Sequence, residues 1–116
     1  MSERIIKVNE LIRDLVAQAI STTLTLKEGL LLTVVRAEVS RDLRQARVYV
    51  SAFPESDEAY ALKTLAKERV TLEHFVHGKL SMKPLPRLRF FIDKTAQKND
   101  VIEKILISLK EEGSDV

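Results

Sequence analysis

Arg41, Arg44 and Arg47 crowd one short stretch, Val39-Ser40-Arg41-Asp42-Leu43-Arg44-Gln45-Ala46-Arg47-Val48-Tyr49-Val50-Ser51. Arg87 and Arg89 stand two apart in a second stretch, with Lys79 and Lys83 just ahead of them and Lys67 and Arg69 further upstream. A guanidinium is a planar fork of donors that matches a phosphate, and an ammonium binds one as a point charge. The chemistry these residues can do is to hold phosphate. The candidate binding residues are therefore Arg41 and Arg44 at a turn, Lys67 and Arg69, then Lys79, Lys83, Arg87 and Arg89. The competing role is simple pairing, for example of Arg47 or Arg89 with Glu38 across a sheet, which is worth little at a surface.

Groups that could break bonds are scarce. His74 and His77 are the only histidines, and with Glu73 they form at most half a metal site. Tight zinc sites need three or four ligands, and no further cluster accompanies these. Neither histidine has an identifiable nucleophile or orienting acid beside it. Gly29, Gly78 and Gly113 are isolated, so no phosphate-cradling glycine loop exists. The acid pairs Asp57-Glu58 and Glu111-Glu112 fall at helix ends, where solvated capping is their ordinary role. With no cysteine there is no disulfide, thiolate zinc site or thiol nucleophile. The expectation is a protein that is not an enzyme and uses no metal and no cofactor.

The chain has 116 residues and a net charge of only +2. That charge is uneven. From Lys63 to Lys98 bases outnumber acids nine to three, whereas Pro54–Leu62 and Asn99–Val116 are both acidic. A local basic region in a nearly neutral chain fits an RNA-facing surface, with a solvated charged face as the alternative. The length suits one domain, placed at residues 1–112, with 113–116 as a frayed tail. The first residues carry charges where a secretory signal would be apolar, and no run reaches bilayer length. A cytoplasmic monomer with no membrane contact and no small-molecule substrate is expected.

Period changes locate the elements that must position the cations. Ile5, Val8, Ile12, Leu15 and Ala19 repeat at helical spacing over residues 4–22, with Ser2 as a cap. Residues 31–39 alternate, with Leu31, Thr33, Val35, Ala37 and Val39 assigned to one face and Leu32, Val34, Arg36 and Glu38 to the other. Residues 45–53 alternate again, sending Ala46, Val48, Val50 and Ala52 inward and Tyr49 and Phe53 outward. The short polar connection predicts an antiparallel hairpin. Pro54 ends the second strand, and Ser56 or Asp57 caps a helical region running to about Leu80. Its apolar stripe is interrupted at Lys67-Glu68-Arg69, ahead of β-branched Val70 and Thr71, so it is either two helices or one bent helix. A third strand covers 87–93, with Phe91 outward. Val101, Ile102, Ile105, Leu106 and Leu109 give a final amphipathic helix, which has the outward aromatics available to cover. The order α-β-β-α-α-β-α makes a two-layer α+β fold, a three-stranded sheet with helices mainly on one face.

Val39-Ser40-Arg41-Asp42-Leu43, Ala46-Arg47-Val48-Tyr49-Val50 and Pro86-Arg87-Leu88-Arg89-Phe90-Phe91-Ile92-Asp93 resemble the ribosome-binding factor A family, as do Arg4, Val8 and Asn9-Glu10-Leu11-Ile12. The resemblance spans nearly the whole chain. It implies a KH-like domain of the second topological type and a non-catalytic, cytosolic assembly factor. The partners it implies are the free small ribosomal subunit and its ribosomal RNA, whose late maturation and end-processing the factor assists, above all in the cold. Two departures stand out. The family's Ala-x-Gly kink between the paired helices is replaced by Glu68-Arg69-Val70, and the chain ends soon after its last helix. The alternative to RNA binding is a protein-interaction module that uses a sheet edge.

Overall fold

The computed structural model describes residues 3–81, 83 and 85–95. The expected Ser2 cap, the final helix and the frayed tail lie outside the described residues. Helix α1 (Glu3–Thr23) is followed by β1 (Leu31–Val39), β2 (Gln45–Phe53), a 3-10 turn (Glu55–Asp57), α2 (Glu58–Lys67), α3 (Arg69–Lys79) and β3 (Arg87–Ile92). The strands lie in the order β1-β2-β3. β1 and β2 are antiparallel, while β3 runs parallel to β2. A parallel neighbour needs a crossover, and α2 with α3 supplies it. This is the two-layer α+β architecture of the KH-like fold.

One sheet face carries the core. Ala46, Val48 and Val50 of β2, Ala37 of β1 and Leu88 of β3 pack with Ile12, Leu15, Val16 and Ala19 of α1, Leu65 of α2, and Leu72 and Val76 of α3. The helical spacing of these residues brings all three helices onto this face. No helix among the described residues is long and apolar enough to cross a membrane.

The alternation expected for β1 is half right. Ala37 and Val39 face the core side, but so do Leu32 and Val34, while Thr33 is exposed and Leu31 is 64% exposed. The cause is a β-bulge at Val35. Val34 pairs with Val50 and Arg36 with Tyr49, so two steps on β1 match one on β2. One extra residue turns the preceding side chains over.

The helical region is two helices. Glu68 has φ −96° and ψ 12°, outside helical values, and its N–H turns back to the carbonyls of Ala66 and Thr64. No glycine is needed, because φ stays negative. The expected side-chain cap is not made: Asp57 precedes α2 without a capping hydrogen bond, and its carboxylate is ion-paired with Lys27.

Ser40 and Asp42 shape the hairpin turn. Ser40 Oγ donates to Asp42 Oδ1 at 2.7 Å, and the Arg44 N–H donates to the same oxygen at 3.1 Å. Leu43 occupies the left-handed region at φ 61° and donates its N–H to the Ser40 carbonyl at 2.9 Å. The hydrogen bonds from Ser40 and the Arg44 amide hold the Asp42 carboxyl below its ordinary value of 3.8.

Candidate nucleic-acid interface

The start of β3 is fastened from both sides. The Arg87 N–H donates to the Arg44 carbonyl at 2.9 Å, which ties it to the hairpin tip. From α3, the Glu73 carboxylate accepts the Leu88 N–H at 2.7 Å, and His77 Nε2 donates to the Pro86 carbonyl at 2.7 Å. Glu73 and His77 are one helical turn apart and so address the same strand. The trio Glu73, His74 and His77 therefore splits: two members hold β3 and His74 is exposed. Among the described residues no three potential metal ligands converge.

Beside this anchored strand lies a groove of about 710 Å³, lined by Gln45, Leu62, Ala66, Arg69, Arg87, Leu88, Arg89, Phe90 and Phe91. The turn at Glu68 starts α3 where Arg69 enters the groove, while strand alternation sends Arg87 and Arg89 to its rim. The Arg89 guanidinium carbon lies 5.7 Å from the centre of the Phe91 ring. The floor is apolar and its rim cationic. Such a surface can take a polyanion whose phosphates meet the guanidinium groups while sugars or bases cover Leu62, Ala66 and Phe90.

The other predicted cations are spread more widely. Arg44 adjoins the groove through Gln45 and the Arg87 amide, and its Nε is 3.9 Å from Asp42. Both those side chains are largely exposed, so the pair holds Arg44 weakly. Arg41 is exposed in the turn, Lys67 at the end of α2, and Lys83 between α3 and β3. Lys79 places its ammonium 5.3 Å from the centre of the Phe75 ring. None of Arg41, Lys67, Lys79 and Lys83 lines the groove.

Arg36 takes Glu38, the acid considered as a competing partner for Arg47 or Arg89. Its Nε is 3.3 Å from Glu38, and its Nη1 is 3.0 Å from the buried Asp93. Burial pulls the Arg36 pKa down, but the bonds to Asp93 and Glu38 outweigh it and leave it raised. Sequence reasoning missed Gln45, Leu62 and Ala66 as lining residues. The available signal was the pairing of Leu62 with Ala66 one helical turn on, where a small side chain leaves room beside a strand.

The family profile described as Ribosome-binding factor A matches residues 4–106. This chain belongs to the ribosome-binding factor A family. It is 32% identical to the ribosome-binding factor A of Chlamydia pneumoniae over 113 residues, covering 95% of this chain and 94% of that one. The crystal structure of ribosome-binding factor A from Thermus thermophilus is similar with a TM-score of 0.68 at 28% identity, covering 76% of this chain and 94% of the other. Coordinates of the Thermus thermophilus factor, a homology model fitted into a cryo-electron-microscopy map of its complex with 30S, are similar with a TM-score of 0.59 at 25% identity, covering 82% and 97%.

Proposed function

We propose that this chain binds the free small ribosomal subunit through its ribosomal RNA and assists the late maturation and processing of that RNA without catalysing a reaction. The observation that carries the reading is the convergence of Arg69, Arg87 and Arg89, from two separate elements, on one groove with an apolar floor. Among the described residues these three guanidinium groups have no carboxylate partner. Arg44 and Arg41 extend the cationic surface along the hairpin tip, and Lys67, Lys79 and Lys83 add charge around it. Family membership and the neighbour placed in a 30S complex support the same partner.

The mechanism is differential binding. The groove favours RNA conformations whose phosphates fit its rim, so binding shifts the RNA folding equilibrium toward them. Contacts are mostly to phosphate and sugar, and little base sequence is read. No cofactor takes part, and the factor acts as a cytoplasmic monomer. Strand addition by a protein partner is the weaker reading, because the β3 edge carries Arg87 and Arg89 and its outward Leu88 amide is already taken by Glu73. Sedimentation with purified small subunits, large subunits and whole ribosomes across a salt series tests the proposal. Salt-sensitive co-migration with free small subunits is expected, and co-migration that ignores salt or subunit type overturns it.

A further inference from the structure

The sheet face opposite the core carries a row that crosses all three strands. The Arg36 guanidinium carbon is 3.9 Å from the centre of the Tyr49 ring, and the Tyr49 and Phe91 ring centres are 5.6 Å apart at 30°. Nearer one end of the sheet, Leu31 pairs with Phe53 on the same face, and these side chains are 64% and 70% exposed. Helices α1, α2 and α3 all pack on the other face. At Tyr49 base stacking is hindered, because the ring has the Arg36 guanidinium on its β1 side and Phe91 on its β3 side.

The chain leaves β3 beside this row. Asp93, only 3% exposed, pairs with Arg36 and accepts the Thr95 N–H at 3.0 Å, as a helix-capping residue does. Its own N–H donates to the Val50 carbonyl at 2.8 Å, which puts the exit at the end of the sheet that carries Leu31 and Phe53. Farther along the sequence, Val101, Ile102, Ile105, Leu106 and Leu109 recur at helical spacing. Residues 99–116 carry five acids against two lysines, opposite in sign to Arg47 and Arg89 on the sheet. A linker over 96–100 reaches roughly 16 Å when extended, and three strands span only about 10 Å.

We propose that residues 101–109 of this chain dock across the outer face of the sheet and cover Tyr49, Phe53, Phe91 and Leu31. The face supplies an apolar patch edged with arginine, and the segment supplies an apolar stripe with Asp100 just before it and Glu111 and Glu112 just after. The face borders the groove at Arg89 and Phe91 and is otherwise separate from it.

The chain has no cysteine, so introduced cysteines report without background. In the full chain, Thr33→Cys on the outer face is paired with Ile105→Cys, or with Lys104→Cys on another side of the segment, and treated with a short bis-maleimide. Intramolecular linking about fivefold faster for the Ile105 pair, unchanged on dilution, is expected. Equal rates for the two pairs overturn the proposal. Products only between molecules assign the face to a second copy and also overturn it. So does protection of Thr33→Cys that arises only with added small subunits, which assigns the face to RNA. As a second measurement, acrylamide quenching of Tyr49 in a Tyr60→Phe background rises in Ile105→Asp/Leu109→Asp. Unchanged quenching counts against the proposal.

Discussion

The Glu73 carboxylate and the Leu88 amide meet at 2.7 Å across the boundary between α3 and β3. β3 is an edge strand, and its amides at 87 and 93 turn toward β2 while that of Leu88 turns away. The Leu88 side chain is fully buried, so its amide without Glu73 would be an orphan donor at the margin of the core. Glu73→Ala should destabilise the fold by about 1.5–3 kcal/mol, the range for a hydrogen bond to a charged group. Urea unfolding checks this, with Glu73→Gln expected to fall between the two because its amide oxygen still accepts.

The groove and the wider cationic surface make different demands on binding. Each phosphate contact steepens the fall of affinity with salt, so removing one should lower the slope of log K against log salt by about 1. Arg69→Ala, Arg87→Ala and Arg89→Ala should each do so in small-subunit binding measured across a salt series. Lys79→Ala, which lies outside the groove with its ammonium against Phe75, should lower the slope by much less than the groove arginines do. A slope that responds equally to all four variants would replace the groove with a diffuse charge effect.

How far the sequence reaches is clearest at three places. The alternation in Ala46, Val48, Val50 and Ala52 was legible because β2 is central and regular, flanked on both sides. In β1 it misled at Leu31 and Thr33, because a single unpaired residue at Val35 inverts the faces and leaves no mark in composition. The helical interruption was legible at Lys67-Glu68-Arg69, but whether it bends or breaks the helix depends on one backbone conformation at Glu68. For the site, residue type announced phosphate chemistry. It could not say which cations meet, since Arg69 reaches the groove only through the crossing of α3 and β3.

The bulge leads to a prediction about deletion. Removing Val35 joins Val34 directly to Arg36, which keeps Leu32, Val34, Ala37 and Val39 on the core side and restores a regular ladder with β2. Removing Ser51 from β2 instead turns Ala52 and Phe53 over. The Val35 deletion should cost about 1 kcal/mol, whereas the Ser51 deletion should cost about 3 kcal/mol or more. Thermal or urea unfolding of the two deletions decides the order, and the reverse order would mean that the bulge is a required feature rather than an insertion the sheet absorbs.

The hairpin turn predicts a response to acid. Asp42 is held below 3.8 in the folded chain by the Ser40 hydroxyl and the Arg44 amide, so its contribution to stability is complete above the unfolded value. It is lost as pH falls from there through the depressed folded value. NMR titration should find the Asp42 carboxyl below the ordinary value, and Ser40→Ala should move it back up, because the largest of the lowering contacts is gone. In urea unfolding below about pH 4, Asp42→Asn should lose stability less steeply than the parent, since the group that must be protonated is absent. An Asp42 titration that Ser40→Ala leaves in place would show that the turn is organised by its backbone alone.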